Sequence, residues 1–435
     1  MKAMPVNHAV DHVQPSPWDE WYARWHGASF DDAIHNQRKM RLLVFASLYP
    51  NAMQPRHGVF VEERLRHLVD TGRIEATVVA PVPWFPFRHR RFGAYAAFAC
   101  VPEREQRYGI EILHPRYPVI PKFGMNFAPS LLTRAMLPVL RKLCAQAPDF
   151  DLIDAHYFYP DGVAAARLGA LLGKPVVITA RGSDVTFIPC HRAPRRQIQW
   201  AAAQAAAIVT VSRALKDGLV ALDVDPGKAT VLRNGVDLER FGPRDRQKIR
   251  KAWGLTGTVW MTAGHLIEVK GVHIAIGMLA KFPDVTLLVV GSGPEERRLR
   301  AQARQLGLES RVRFVGAVKH AQLSDYYNAA DALIHASSRE GMPNVVLESL
   351  ACGTPVVASP FDGVDEVLET PETGEIAAER SVEAMAAAWV RLRERAPSRA
   401  ATRRAGEQMG WEPVIRAQIA LYARALSATM GGHAS

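Results

Sequence analysis

The sequence predicts an α/β protein of two doubly wound domains, each a parallel sheet covered by helices on both faces. Three observations predict it. From about residue 41 onward, apolar runs of strand length alternate with stretches of helical spacing, the pattern of repeated β–α–β units. The alternation forms two long series that meet near residues 233–245, where Arg233-Asn234-Gly235-Val236-Asp237 leads into Gly242-Pro243. The 435 residues, 48% hydrophobic and 22% charged, suit two or three ordinary cores and exclude a disordered, collagen-like or disulfide-stapled chain.

In chain order, residues 42–46 read as the first buried strand because five apolar residues follow one another without a break. A helix over 58–69 follows. Further strands are expected at 77–80, 152–155, 176–179 and 208–211, with helices at 130–146 and 163–172. The second series repeats the scheme, with strands at 259–262, 286–290, 312–315, 332–334 and 355–358. Its helices are expected at 295–306 and 343–351. Pro343 suits a first helical turn, where its missing N–H costs nothing, and Gly353 suits the C-terminal cap. The domains therefore fall at 41–238 and 239–411, with an N-terminal extension over 1–40 and a last helix over 412–430. Within the extension, Trp18, Trp21 and Tyr22 dock on the body, form a short amphipathic helix or stay disordered. The extension has no continuous apolar core of the kind a secretory leader carries. No apolar run of 18 residues occurs, so no spanning helix is expected. Cys100, Cys144, Cys190 and Cys352 form no C-x-x-C pair and fit a reducing cytosol better than a zinc site.

Doubly wound sheets bind ligands beyond the carboxyl ends of their strands, so functional residues belong in the loops there. The segment from Ser337 to Gly353 is the most informative. Its helix is apolar or small around Glu348, and a carboxylate in such a place must be paired or ligand-bound. Glu340 stands just before the helix. From Pro343 to Glu348 the rise is about 7.5 Å, so the two carboxylates suit two ends of an elongated ligand better than one shared proton. Carboxylates accept from sugar and ribose hydroxyls, and the helix start at Asn344 and Val345 suits a diphosphate. The alternative is structural, with Glu340 a surface cap and Glu348 paired with an arginine.

That segment resembles the E-x7-E signature of the retaining glycosyltransferases of family 4, which have the GT-B fold. The run Gly264-His265-Leu266-Ile267-Glu268-Val269-Lys270-Gly271 resembles the family's glycine–arginine…lysine–glycine loop. Asn234-Gly235-Val236-Asp237, Ala329-Ala330-Asp331-Ala332 and Gly353-Thr354-Pro355-Val356-Val357 also match, in order, and the likeness spans about residues 42–422. It implies two facing Rossmann-like domains, with the C-terminal helix returning to the first. It implies that Glu348 holds a donor ribose, Glu340 contacts the transferred sugar and Lys270 neutralises the departing diphosphate. A charge so placed contributes about 3–4 kcal/mol to lowering a barrier. The donor would be a UDP- or GDP-sugar, with no cofactor and no metal. The acceptor would be a glycan or lipid-linked molecule of exopolysaccharide or cell-surface polysaccharide synthesis. Two residues depart from the family pattern. His265, beside Gly264 in the donor site, replaces an arginine and offers no bidentate fork. Arg181 replaces a histidine; it can bond sugar or phosphate but cannot act as a base.

In the first domain, Gly58 either brings backbone N–H groups close to a phosphate or makes a simple turn. Asp184 either orients Arg181 or binds acceptor, and His156 is either an acceptor-side group or a satisfied structural histidine. Gly291-Ser292-Gly293 begins a dinucleotide fingerprint, but Glu296 occupies the third glycine position and speaks against a dehydrogenase. Asp223-Val224-Asp225 runs into Pro226-Gly227 and reads as a turn.

The net charge is +11, and residues 41–240 carry 26 Lys/Arg against 17 Asp/Glu. Aromatics interleave with arginines at Trp84, Phe85, Phe87, Arg88, Arg90, Arg91 and Phe92. Arg104, Arg107, Arg116, Lys122, Arg192, Arg195 and Arg196 add to them. Such a surface suits nucleic acid or an anionic membrane. The resemblance favours membrane or lipid diphosphate and no nucleic acid, in a protein that is cytoplasmic or peripheral on the inner face of the plasma membrane. The rivals are a nucleotide-sugar epimerase on the same fold and a basic nucleic-acid-binding protein.

Overall fold

The computed structural model describes residues 38–89, 91, 94–120, 124–146 and 149–431. The expectations for residues 1–37, with Trp18, Trp21 and Tyr22, and those for Arg90, Phe92 and Lys122 lie outside the described residues.

The first sheet is built from β1 (Met40–Phe45), β2 (Ile74–Val79), β4 (Arg104–Arg107), β5 (Ile110–Leu113), β7 (Leu152–His156), β8 (Val176–Ala180), β9 (Ala207–Thr210) and β10 (Ala229–Val231). Its order is β10-β9-β8-β7-β1-β2-β5-β4, parallel except for β4 against β5. A small ladder pairs β3 (Val82–Pro83) with β6 (Arg116–Tyr117). The second sheet holds β11 (Thr258–Ala263), β12 (Val285–Val290), β13 (Val312–Gly316), β14 (Ala332–His335), β15 (Val356–Ala358) and β16 (Gly374–Ile376). Its order is β13-β12-β11-β14-β15-β16, all parallel.

The unbroken apolar strands have a physical reason. Along β1, Leu43 and Phe45 enter one core while Leu42 and Val44 enter another on the opposite face. Along β12, Leu287 and Val289 face one core and Leu288 and Val290 the other. Successive side chains point to opposite faces, so a strand covered on both sides needs an apolar residue at every position. Each such side chain contributes roughly 1.5–3 kcal/mol by leaving water. The last helix, Trp411–Gly431, returns to the first sheet, where Trp411, Ile415, Leu421 and Tyr422 join the core of Leu42 and Val44.

The structure also corrects the sequence reading. The β4–β5 hairpin was not expected, because its strands are four residues long and rich in charge. It turns at Tyr108-Gly109, both with positive φ, as a two-residue hairpin requires. β10 and β16 are three-residue edge strands with too little pattern to read. Pro343 precedes the helix Asn344–Ala351 as its cap instead of occupying its first turn.

Each sheet changes winding direction once, at β1/β7 and at β11/β14. A crevice opens at such a point, because the loops beyond the two strands leave in opposite directions. The loops after β8 and β14 meet there. A Cβ added to Gly341 would lie 1.8 Å from the Arg181 carbonyl oxygen, so only glycine admits this approach of one backbone to the other.

Candidate active site

At the β11/β14 crevice the second domain assembles an ion pair. Lys270 ends a short 3-10 turn, Glu268–Lys270, and its Nζ donates to Glu340 Oε1 at 2.6 Å. His335, the last residue of β14, brings Nε2 to 3.2 Å from the same oxygen, off the hydrogen-bonding axis. Burial pushes the Glu340 carboxyl up, but the contacts with His335 and Lys270 outweigh it and hold the group at about 2. Glu340 is therefore an anion at any physiological pH. The Lys270 side chain remains 29% exposed, so a ligand can reach it.

Glu348 projects from the helix Asn344–Ala351 and is buried. The arginine of the structural alternative is not its partner: His320 Nε2 lies 2.8 Å from Oε1, and the Tyr327 hydroxyl donates to Oε2 at 2.7 Å. Each oxygen keeps a further lone pair for a hydroxyl. Asn344 opens the helix, and its Oδ1 accepts from Asn234 Nδ2 at 2.8 Å across the interdomain strand exit. Val345 follows it, half-buried.

His265 is exposed, and its Nδ1 donates to the Ser292 carbonyl at 2.8 Å. That bond fixes the tautomer and leaves Nε2 for a ligand. Gly264 lies against Gly291, where a Cβ would stand 1.8 Å from the Gly264 carbonyl oxygen. The glycine pattern that began a dinucleotide fingerprint thus serves loop-to-loop packing.

The first domain's residues are disposed differently. Arg181, His156 and Asp184 come together, but deep in the protein. Asp184 is fully buried. Its Oδ2 accepts the Phe158 N–H at 2.7 Å, and its Oδ1 accepts those of Gly182 at 2.6 Å and Arg181 at 3.1 Å. It neither binds acceptor nor touches the Arg181 guanidinium; it holds the backbone of the loop. His156 is 2% exposed, which removes it from direct acceptor contact as well. Its Nδ1 takes a bond from Arg181 Nη2 at 2.8 Å, and its Nε2 lies 3.1 Å from Asp154 Oδ2. Burial pushes His156 down, and a ring nitrogen facing a guanidinium must be the unprotonated one.

These side chains belong to a closed ring. Arg181 Nη1 donates to Asn234 Oδ1 at 3.0 Å, and Arg64 Nη2 reaches the same oxygen at 3.3 Å. Arg64 Nη1 then donates to Gln418, Gln418 to the Tyr422 hydroxyl, and Tyr422 to Asp154. The ring ties the first sheet, the interdomain exit and the last helix together. Sequence reading found Arg181, His156 and Asn234 but not Arg64, Asp154, Gln418 or Tyr422, whose bonds join residues up to 354 positions apart.

Gly58 is buried, with φ 74°, and a Cβ there would meet the Leu48 carbonyl oxygen at 2.2 Å. On the Cβ side its close approach is to this chain's own backbone. The basic surface is smaller than the sequence suggested. Arg107 bonds Glu62 at 2.5 Å, Arg104 pairs with Glu111 at 3.5 Å, and Arg116 donates to the Val101 carbonyl. Arg88, Arg91, Arg192, Arg195 and Arg196 are exposed, as are Trp84, Phe87 and Phe127.

Known proteins resemble this chain over most of its length. The family model for group 1 glycosyl transferases matches residues 244–409, and that for glycosyltransferase family 4 matches residues 57–240. A putative teichuronic acid biosynthesis glycosyltransferase of Bacillus subtilis strain 168, TuaC, is 30% identical over 335 residues, or 75% of this chain and 83% of that protein. Among solved structures, sucrose-phosphate synthase from Thermosynechococcus elongatus has a TM-score of 0.72 at 19% identity, covering 90% of this chain and 100% of that one. HepE of Anabaena, in complex with UDP-glucose, has a TM-score of 0.66 at 20% identity, covering 88% and 98%. At these identities the two structures show a shared fold. Among the described residues, no helix is long and apolar enough to cross a membrane.

Proposed function

We propose a reaction for this chain on one premise: it belongs to the family 4 glycosyltransferases of the GT-B fold. The reaction is transfer of a sugar from a nucleotide sugar, UDP- or GDP-linked, to a glycan or lipid-linked acceptor, with the anomeric configuration retained. The observation that carries it is the Lys270–Glu340 pair at the β11/β14 crevice. It joins a cation, suited to a leaving diphosphate, to a carboxylate suited to sugar hydroxyls. Glu348 stands eight residues on, where a ribose would lie, and the start of the helix at Asn344 and Val345 faces the phosphates.

The step follows from these groups. The bond between the anomeric carbon and the diphosphate oxygen breaks while the acceptor oxygen bonds to the same face of that carbon. The acceptor's proton passes to the departing phosphate oxygen. Lys270 meets the negative charge as it develops, and Glu340 faces the sugar from the other side. His265, through Nε2, and Arg181, at the edge of its buried ring, are further donor-side contacts.

The acceptor belongs to cell-surface or exopolysaccharide synthesis, a reading supported by the name of the Bacillus relative. The exposed arginines and aromatics of the first domain support an anionic lipid surface as its place of work. An epimerase on this fold would release an altered nucleotide sugar without acceptor, and neither matched family favours it. The test is to incubate the purified chain with UDP- and GDP-sugars and a polyprenyl-diphosphate-linked glycan. Transfer with the donor's α-configuration kept, and abolished in Glu340→Gln, is expected. An inverted product would overturn the retaining course, and altered free nucleotide sugar with no transfer would overturn the reaction class.

A further inference from the structure

One group of charges at the Glu348 end has no part in the reaction above. Glu63 sits on the helix Val59–Asp70 of the first domain, far in sequence from the second. Its Oε1 accepts from Arg240 Nη1 at 2.6 Å and lies 3.1 Å from His320 Nδ1. The other nitrogen of His320 is 2.8 Å from Glu348 Oε1. A single imidazole thus bridges a carboxylate of the first domain and the buried carboxylate of the second. The Phe241 ring stands edge-on to it, with centroids 5.1 Å apart.

The charge state of His320 follows from what faces it. Glu63 comes from the first domain, Glu348 from the helix Asn344–Ala351, and Arg240 Nη1 lies 3.0 Å from Nδ1. Asp237 pairs with Arg240 at 3.3 Å. Glu63 and Asp237 pair with the one guanidinium and Glu63 and Glu348 flank the imidazole, so three carboxylates face one fixed cation and a proton on both ring nitrogens reduces the excess. The imidazolium is the form that serves both carboxylates, Glu348 at 2.8 Å from Nε2 and Glu63 at 3.1 Å from Nδ1, while Arg240 Nη1 beside Nδ1 opposes it. Burial disfavours that charge, but the bonds to Glu348 and Glu63 outweigh it and raise the group to about 10.

We propose that Glu63 is a positioning residue for the nucleotide site: from the first domain it holds His320 as an imidazolium, which in turn fixes the Glu348 carboxylate for the nucleotide. The proposal rests on the reading of Glu348 as a ribose-binding group. Nucleotide affinity is then set partly by a residue of the opposite domain. By linkage, nucleotide at Glu348 also favours the arrangement that keeps Glu63 on His320.

The test needs UDP, GDP and four proteins: the parent chain, Glu63→Gln, His320→Gln and Glu348→Gln. Calorimetry gives the dissociation constant at pH 7 and pH 9, and nitrogen-15 NMR of labelled histidines follows His320. In the parent chain His320 should stay protonated through pH 8, and in Glu63→Gln it should titrate lower. For whichever diphosphate binds, Glu63→Gln should weaken binding roughly three- to tenfold at pH 7. The loss should grow at pH 9, while the thermal midpoint at pH 7 stays near that of the parent. A merely structural Glu63 would lower the midpoint without a pH-dependent change in affinity. The proposal is overturned if parent His320 titrates near its ordinary value, or if Glu63→Gln binds as the parent does at both pH values. Unchanged binding in Glu348→Gln, or no binding of either diphosphate to the parent, overturns instead the reading of the site beneath it.

Discussion

The two domains bring polar residues to the cleft in opposite ways. In the second, Lys270 and His265 stand on loops at the strand ends with part of each side chain open, and Glu340 is held by ion pairing. In the first, Asp154, His156 and Asp184 are at most 2% exposed and make their contacts with one another, with Arg181 and Tyr422, or with backbone. The difference teaches that polarity near a cleft is not itself a sign of ligand contact. One half keeps charges where a ligand can reach them. The other uses buried polar groups to hold strand ends and the interdomain exit at fixed separations, and most of their polar atoms are paired, Asp154 Oδ1 and Arg181 Nε excepted.

The comparison is broken most directly at Lys270. If the second domain's charges are for ligand, Lys270→Ala should lower kcat/KM by about 10²–10³, with the thermal midpoint nearly unchanged. A steady-state assay beside a melting curve checks both, and a stability loss equal to the activity loss would erase the contrast. Asp184 tests the other half. Its oxygens accept three backbone N–H groups, so an amide nitrogen placed there would face donors. Asp184→Asn, although isosteric, should therefore destabilise by about 3 kcal/mol, close to the effect of Asp184→Ala. Thermal unfolding of the two variants checks this. A residue in contact with acceptor would instead leave stability intact and raise the acceptor KM.

How much of this was legible in the sequence depends on distance along the chain. Ten of the fourteen strands in the two large sheets announced themselves because burial on two faces demands unbroken apolar runs, as at residues 42–46 and 286–290. Glu340, Glu348 and Lys270 were legible because their pattern is local, within one loop and helix or one turn. Their partners were not. His320 and Tyr327 reach Glu348 from 28 and 21 residues away, and Glu63 reaches His320 from another domain. Nothing in a helix segment such as Val59–Asp70 distinguishes a glutamate that will bridge domains from one that will face water. Asp184 misled for a related reason: a carboxylate after a buried strand looks the same whether it caps backbone N–H groups or awaits a ligand.

The smallest expected effect lies at Asp161, which sharpens the claim that the first domain's polar groups are scaffold. Asp161 is fully buried, and Ser47 donates to its Oδ2 from N at 2.8 Å and from Oγ at 2.7 Å. Burial raises its carboxyl to about 7, although the Ser47 bonds pull the other way. A folded-state value above the unfolded one means that the native chain holds the extra proton between pH 4 and 7. Stability from this group is thus complete below the unfolded value and declines as pH rises through about 7. Asp161→Asn keeps an acceptor for Ser47 and removes the titration. Its thermal midpoint relative to the parent should rise by about 2–4 °C between pH 5 and pH 8, measured at constant ionic strength. A difference independent of pH would mean that Asp161 is ionised throughout, and that the first domain buries a charge its serine alone can hold.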